Sequence, residues 1–73
     1  MRGMSPHRRL ARFLAETGTS ASELARQLGV TPSAITHLTK GRRRPSLTLA
    51  ARIERVTAAW DRGPVRTYEW VGA

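Results

Sequence analysis

The sequence predicts an all-α domain: four short helices, five at most, followed by a C-terminal tail. Three observations carry that prediction. Apolar residues recur at three- and four-residue steps in four separate segments, each segment opens on a hydroxyl residue, and a glycine or a glycine-proline turn marks the break that follows. The 73 residues accommodate one domain, and with no cysteine neither a disulfide nor a thiolate zinc site reinforces its small core. Packed helices must hold it together.

Ser5-Pro6 reads as an N-cap with proline at the first helical position, and Leu10, Phe13, Leu14 and Thr17 follow at helical spacing until Gly18. The second helix, at about 21–28, starts at the capping box Ser20-Ala21-Ser22-Glu23, buries Leu24, Ala25 and Leu28, and stops at Gly29. Thr31-Pro32 repeats the hydroxyl-proline device for a third helix, about 32–40, with Ile35 and Leu38 on its apolar face. Lys40-Gly41-Arg42-Arg43-Arg44-Pro45 is a basic loop, and Ser46 caps a fourth helix. That helix is expected from Leu47 to about Ala59, with Leu49, Ala50, Ile53, Val56 and Trp60 in register. Residues 1–60 therefore form the helical part. In the tail, 61–73, the turn Asp61-Arg62-Gly63-Pro64 precedes an alternation of β-branched and aromatic residues from Val65 to Val71. This stretch is either a short strand or an irregular segment packed back on the helices.

Charge narrows the function. Thirteen basic residues, all but one of them arginine, stand against five acidic ones, giving a net charge of +8 and favouring a polyanionic partner. The positions of the arginines matter more than their number. Apolar runs of only a few residues fall far short of the roughly 20 that cross a bilayer, so no membrane association is expected. The start, Met1 to Arg9, is basic but lacks the apolar stretch of a secretory signal, and the expected location is cytoplasmic. With no nucleophile beside a base, no paired carboxylates and no phosphate-cradling glycine loop, no enzyme and no cofactor are expected. His7 and His37 are the only histidines, too few for a metal ligand set.

The informative pattern runs from Ser20 to Leu38. Ala25 is small enough to let the second and third helices approach, Gly29 makes the turn between them, Val30 buries beneath it, and Ile35 locks the third helix to the core. Its other face, Thr31, Pro32, Ser33, Thr36, His37 and Lys40, must then point outward. These side chains suit a major groove about 12 Å wide.

Residues from about Leu10 to Val56 resemble the Cro and phage-repressor class of helix-turn-helix domains, also called the xenobiotic-response-element type. The likeness covers Leu10 and Leu14, the Ser20 to Leu38 spacing, and the link Gly41-Arg42-x-x-Pro45-Ser46-Leu47. It implies a lambda-repressor-like fold in which the third helix enters the major groove. By position it implies base contacts from Thr31, Pro32, Ser33 and His37 with Thr36 beside them. Phosphate contacts would come from Ser20 and Ser22 at the start of the second helix and from Lys40, Arg42, Arg43 and Arg44 in the loop. Two departures stand out. Ala21 and Pro32 replace glutamines common in the family, which removes bidentate adenine readout there and leaves readout to Ser33, His37 and apolar contact from Thr31 or Pro32 to a thymine methyl, and Thr39 and Lys40 replace a glutamate and an asparagine.

The resemblance implies a transcriptional regulator of double-stranded DNA, a repressor of a phage, plasmid or other mobile element. It would bind a palindromic operator as a homodimer, with no small-molecule ligand. A second class stays open: an antitoxin or adaptor that mainly binds a protein through its tail and uses DNA binding for autoregulation. Trp60, Tyr68 and Trp70 have two uses, closing the core or meeting a second copy, and the dimer contact is the expectation. Arg8, Arg9 and Arg12 extend the phosphate footprint, reach a minor groove, or solvate the first helix.

Overall fold

The computed structural model describes residues 5–71; the first four residues of the basic start and the last two of the tail lie outside it. The elements follow in the order α1 Pro6–Thr17, α2 Ala21–Leu28, α3 Pro32–Thr39, α4 Leu47–Val56 and one 3-10 turn, Thr67–Trp70. Ser5, Ser20, Thr31 and Ser46 are the N-caps of the four helices, each hydroxyl accepting the amide of the residue three further on. In α2 this is the Glu23 amide at 3.0 Å, and among the described residues the reciprocal bond expected from the Glu23 carboxylate is not made.

Each of the first three helices ends on a Schellman turn. At α2 the Val30 amide donates to the Ala25 carbonyl, 2.9 Å, and the Gly29 amide to that of Arg26, 3.4 Å. The turn requires φ of +74° at Gly29, where an L side chain would be strained. Arg52 from α4 adds a donor to the Leu28 carbonyl, 3.2 Å, so the end of α2 is fastened from two directions. The chain thus turns sharply into α3, which packs on α2 and α1.

One core joins all the elements: Leu10 and Phe13 of α1, Leu24, Ala25 and Leu28 of α2, Ile35 and Leu38 of α3, Ala50 and Ile53 of α4, and Val65 and Trp70 of the tail. Two expectations need correction. The α4 helix stops at Val56 rather than near Ala59, because buried Thr57 turns its hydroxyl onto the Ile53 carbonyl, 2.8 Å, and accepts the Val65 amide, 2.9 Å. Trp60 keeps its place on the core through the turn that follows, edge-on to Phe13 at 5.4 Å between ring centroids.

The strand reading of the tail also falls, since there is no strand among the described residues. Val65 and Trp70 are both buried, and five positions apart on a strand they would face opposite ways. A 3-10 turn brings both to one side, closed by the Arg66 amide donating to the Glu69 carboxylate, 2.8 Å. Trp70, only 3% exposed, closes the core. Its indole N–H finds no acceptor among the described residues, an omission that costs about 1–3 kcal/mol against the gain from burying the ring.

Candidate nucleic-acid interface

The outward face of α3 is built from its cap onward. Thr31, Pro32, Ser33 and Thr36 are exposed, and His37 is half-buried at the edge of the same face, while Ile35 and Leu38 face the core. Ser33 and His37 stand one turn apart, as do Pro32 and Thr36, so the face carries two parallel rows. The cap uses one lone pair of the Thr31 hydroxyl on the Ala34 amide, 3.2 Å, and leaves its proton free to donate outward. Thr36 differs: its hydroxyl donates to the Pro32 carbonyl, 3.3 Å, within its own helix.

The loop behind α3 is fixed to it. Gly41, at φ +75°, forms the third Schellman turn: its amide donates to the Leu38 carbonyl at 3.2 Å, and the Arg42 amide to the His37 carbonyl at 2.9 Å. This folds Arg42 and Arg43 back beside His37, and the three line an open cleft of about 340 Å³. The same end of α3 is held from below by His7, whose Nδ1 donates to the Leu38 carbonyl at 2.7 Å while its ring meets the Trp70 indole edge-on. A tail residue and a helix-1 residue thereby set where the last turn of α3 lies. At the other end, the hydroxyl of exposed Ser20 caps α2, and Ser22 stands exposed in the first turn, where free backbone amides favour an anion.

Three of the five acidic side chains pair with arginines away from α3. Glu16 pairs with both Arg12, 2.9 Å, and Arg62, 2.8 Å; Glu54 pairs with Arg66, 3.4 Å; Glu69 pairs with Arg9, 2.6 Å. The Arg62 hydrogen bond holds the Glu16 carboxyl below the usual carboxylate range, and the Thr67 amide does the same for Glu54. These pairs occupy α1, α4 and the tail. Lys40, Arg42 and Arg43 are exposed and pair with no carboxylate among the described residues, and exposed Arg44 extends the same cationic stretch.

Arg9 is therefore not a merely solvated side chain. Its guanidinium also donates to the carbonyls of Arg62, 3.2 Å, and Gly63, 2.8 Å, and lies over the Trp60 ring. Sequence reasoning also missed Arg52, His7 and Thr57 as fastenings, since their partners lie 24, 31 and 8 positions away. Of the three aromatics expected to meet a second copy, Trp70 points inward and Trp60 is half-buried, whereas Tyr68 is 72% exposed.

Among the described residues no group of histidine, cysteine and acidic side chains could hold a metal, and no helix is long and apolar enough to cross a membrane. A helix-turn-helix family model matches residues 10–58, from within α1 to just past the end of α4. No curated protein matches the chain.

Proposed function

The chain belongs to the helix-turn-helix family of the Cro and phage-repressor type, a family of DNA-binding domains that are not enzymes, and from that premise we propose that it is a homodimeric repressor of a palindromic operator. Sequence-specific DNA binding and a role in transcription regulation follow from the family. Repression by occupying an operator of a phage, plasmid or other mobile element is the reading that suits the resemblance.

The observation that carries the site assignment is the Schellman turn at Gly41. It brings Arg42 and Arg43 of the cationic loop beside His37 on the face of α3; on this reading Thr31, Pro32, Ser33, Thr36 and His37 meet the bases, and Lys40, Arg42, Arg43 and Arg44, with Ser20 and Ser22, hold the phosphates. Replacing Ser33 or His37 with alanine is expected to cost about 1–3 kcal/mol on the preferred duplex and to alter preference at one or two base pairs. Arg43→Ala is expected to weaken all duplexes alike. Equal effects of both changes on preferred and random DNA, in a binding titration, would refute the division into reading and holding residues.

The dimer contact falls to an apolar patch of the tail and α4. Leu47, Tyr68 and Val71, the exposed large hydrophobics of the described residues, are 74%, 72% and 69% exposed. Leu47 and Val71 flank one groove with Pro45, Ala50 and Trp70, and Tyr68 lies one 3-10 turn before Val71, on its side. One such domain reads only a few base pairs, and a two-fold copy reads two half-sites about 34 Å apart. Sedimentation of Leu47→Glu checks this: a folded monomer with weakened operator binding is expected, and an unchanged dimer excludes the patch. Co-purification of a different chain would favour the antitoxin or adaptor reading instead.

A further inference from the structure

The two rows on the outer face of α3 differ in chemistry, and the bond made by the Thr36 hydroxyl extends to Thr36 the apolar character already expected of Pro32. The row of Ser33 and His37 offers a hydroxyl and an imidazole, both hydrogen-bonding groups. The row of Pro32 and Thr36 offers no uncommitted donor: Pro32 has only its ring carbons, and the Thr36 hydroxyl turns its proton onto the Pro32 carbonyl at 3.3 Å, keeping only acceptor lone pairs. At a tetrahedral Cβ, an oxygen turned back on the preceding helical turn leaves the methyl as the uncommitted end of the side chain. Both residues are exposed, so this apolar pair is presented to whatever the helix meets.

We propose that Thr36, with the Pro32 ring beside it, recognises the 5-methyl group of a pyrimidine in the major groove. This rests on the DNA-reading role of α3 given above and names the chemistry by which one row of it reads. In the major groove the thymine methyl is the one apolar feature of the base edges, and cytosine acquires the same feature at the same place when methylated at C5. The pair of rows then divides the work: 33 and 37 read hydrogen-bonding edges, 32 and 36 read a methyl. The arrangement also accounts for proline in a position where a glutamine would have offered adenine two hydrogen bonds, since a proline ring can contribute only apolar contact.

The test uses the full chain and a duplex enriched by it from random DNA, with each thymine of the two half-sites replaced in turn by uracil. Uracil keeps both Watson-Crick groups, N3–H and O4, and removes only the methyl. Burial of one such group is worth a factor of about four in affinity, and a loss of that size is expected at one or two positions of the half-site. Placing 5-methylcytosine rather than cytosine at the same position should restore a similar factor. The protein arm separates a methyl from a general defect. Thr36→Ser, which keeps the hydroxyl and loses the methyl, should bind thymine and uracil duplexes equally at one of those positions; Thr36→Val should keep the discrimination; Ser33→Ala should leave it unchanged.

Affinity indifferent to uracil at every position would overturn the methyl assignment while leaving sequence-specific binding standing. A thymine preference undiminished in Thr36→Ser would assign the contact to another residue and overturn the role of Thr36. Failure of the enrichment to return any preferred duplex would overturn both this assignment and the DNA-reading role beneath it.

Discussion

Arg9 sits in a run of basic residues whose sequence offers no way to tell one from the next. Its guanidinium and the Glu69 carboxylate are 20% and 17% exposed, close enough to burial that removing one partner strands the other. Arg9→Ala is therefore expected to lower stability by about 2 kcal/mol, judged from hydrogen bonds to charged groups, in a urea titration. The ratio of affinities for preferred and random DNA should be unchanged; a change in that ratio would return Arg9 to the interface. The partner lies 60 positions away, and no local pattern signals it. By contrast Ser20, Thr31 and Gly29 were legible because each acts within three to five residues of itself, through a cap or a turn. The outward row 33 and 37 was legible for the same reason, as helical spacing. The turning of the Thr36 hydroxyl was not, because spacing fixes which way a residue faces and not which of its two Cβ branches does.

Helices are legible where their ends are set locally, as the Ser20 cap and the Gly29 turn bound α2 at Ala21–Leu28. The end of α4 and the form of the tail were misjudged because they are decided jointly. Thr57 ends the helix by serving Val65, and Glu54 holds the tail through the Thr67 amide and hydroxyl at 2.9 and 2.8 Å. That attachment titrates. The Glu54 carboxyl is held below its ordinary range chiefly by the Thr67 amide, and Glu16 chiefly by Arg62. A depressed folded value means that these ionised groups contribute their full stabilisation above the ordinary glutamate range, about 4.3, and lose it as pH falls through the lowered folded values. Acid should loosen the tail, reported by the fluorescence of Trp60 and Trp70, and Glu54→Gln should flatten the acid limb of the stability profile. An acid limb unaltered by that substitution would mean that the carboxylate plays no part in holding the tail.

At the scale of the whole molecule the fold class was plain from the repeated caps and glycines, while the sorting of charge was not, since a net charge says nothing about where the acids are used. With Lys40, Arg42, Arg43 and Arg44 on each protomer, a dimer would neutralise about eight phosphates, and log affinity should fall against log salt with a slope of about −7. A slope near −2 in a salt titration would mean that the loop does not lie on the backbone. The Schellman turn at Gly41 also bears on entropy. The backbone at Gly41 and Arg42 is already held by hydrogen bonds when the chain folds, so the cost of fixing those two residues, about 1–2 kcal/mol each, is met before any partner arrives. Preorganisation of that kind would help the proposed surface, poor in strong base-readers, to hold its target, and would lessen the heat-capacity signature that a loop folding on contact leaves.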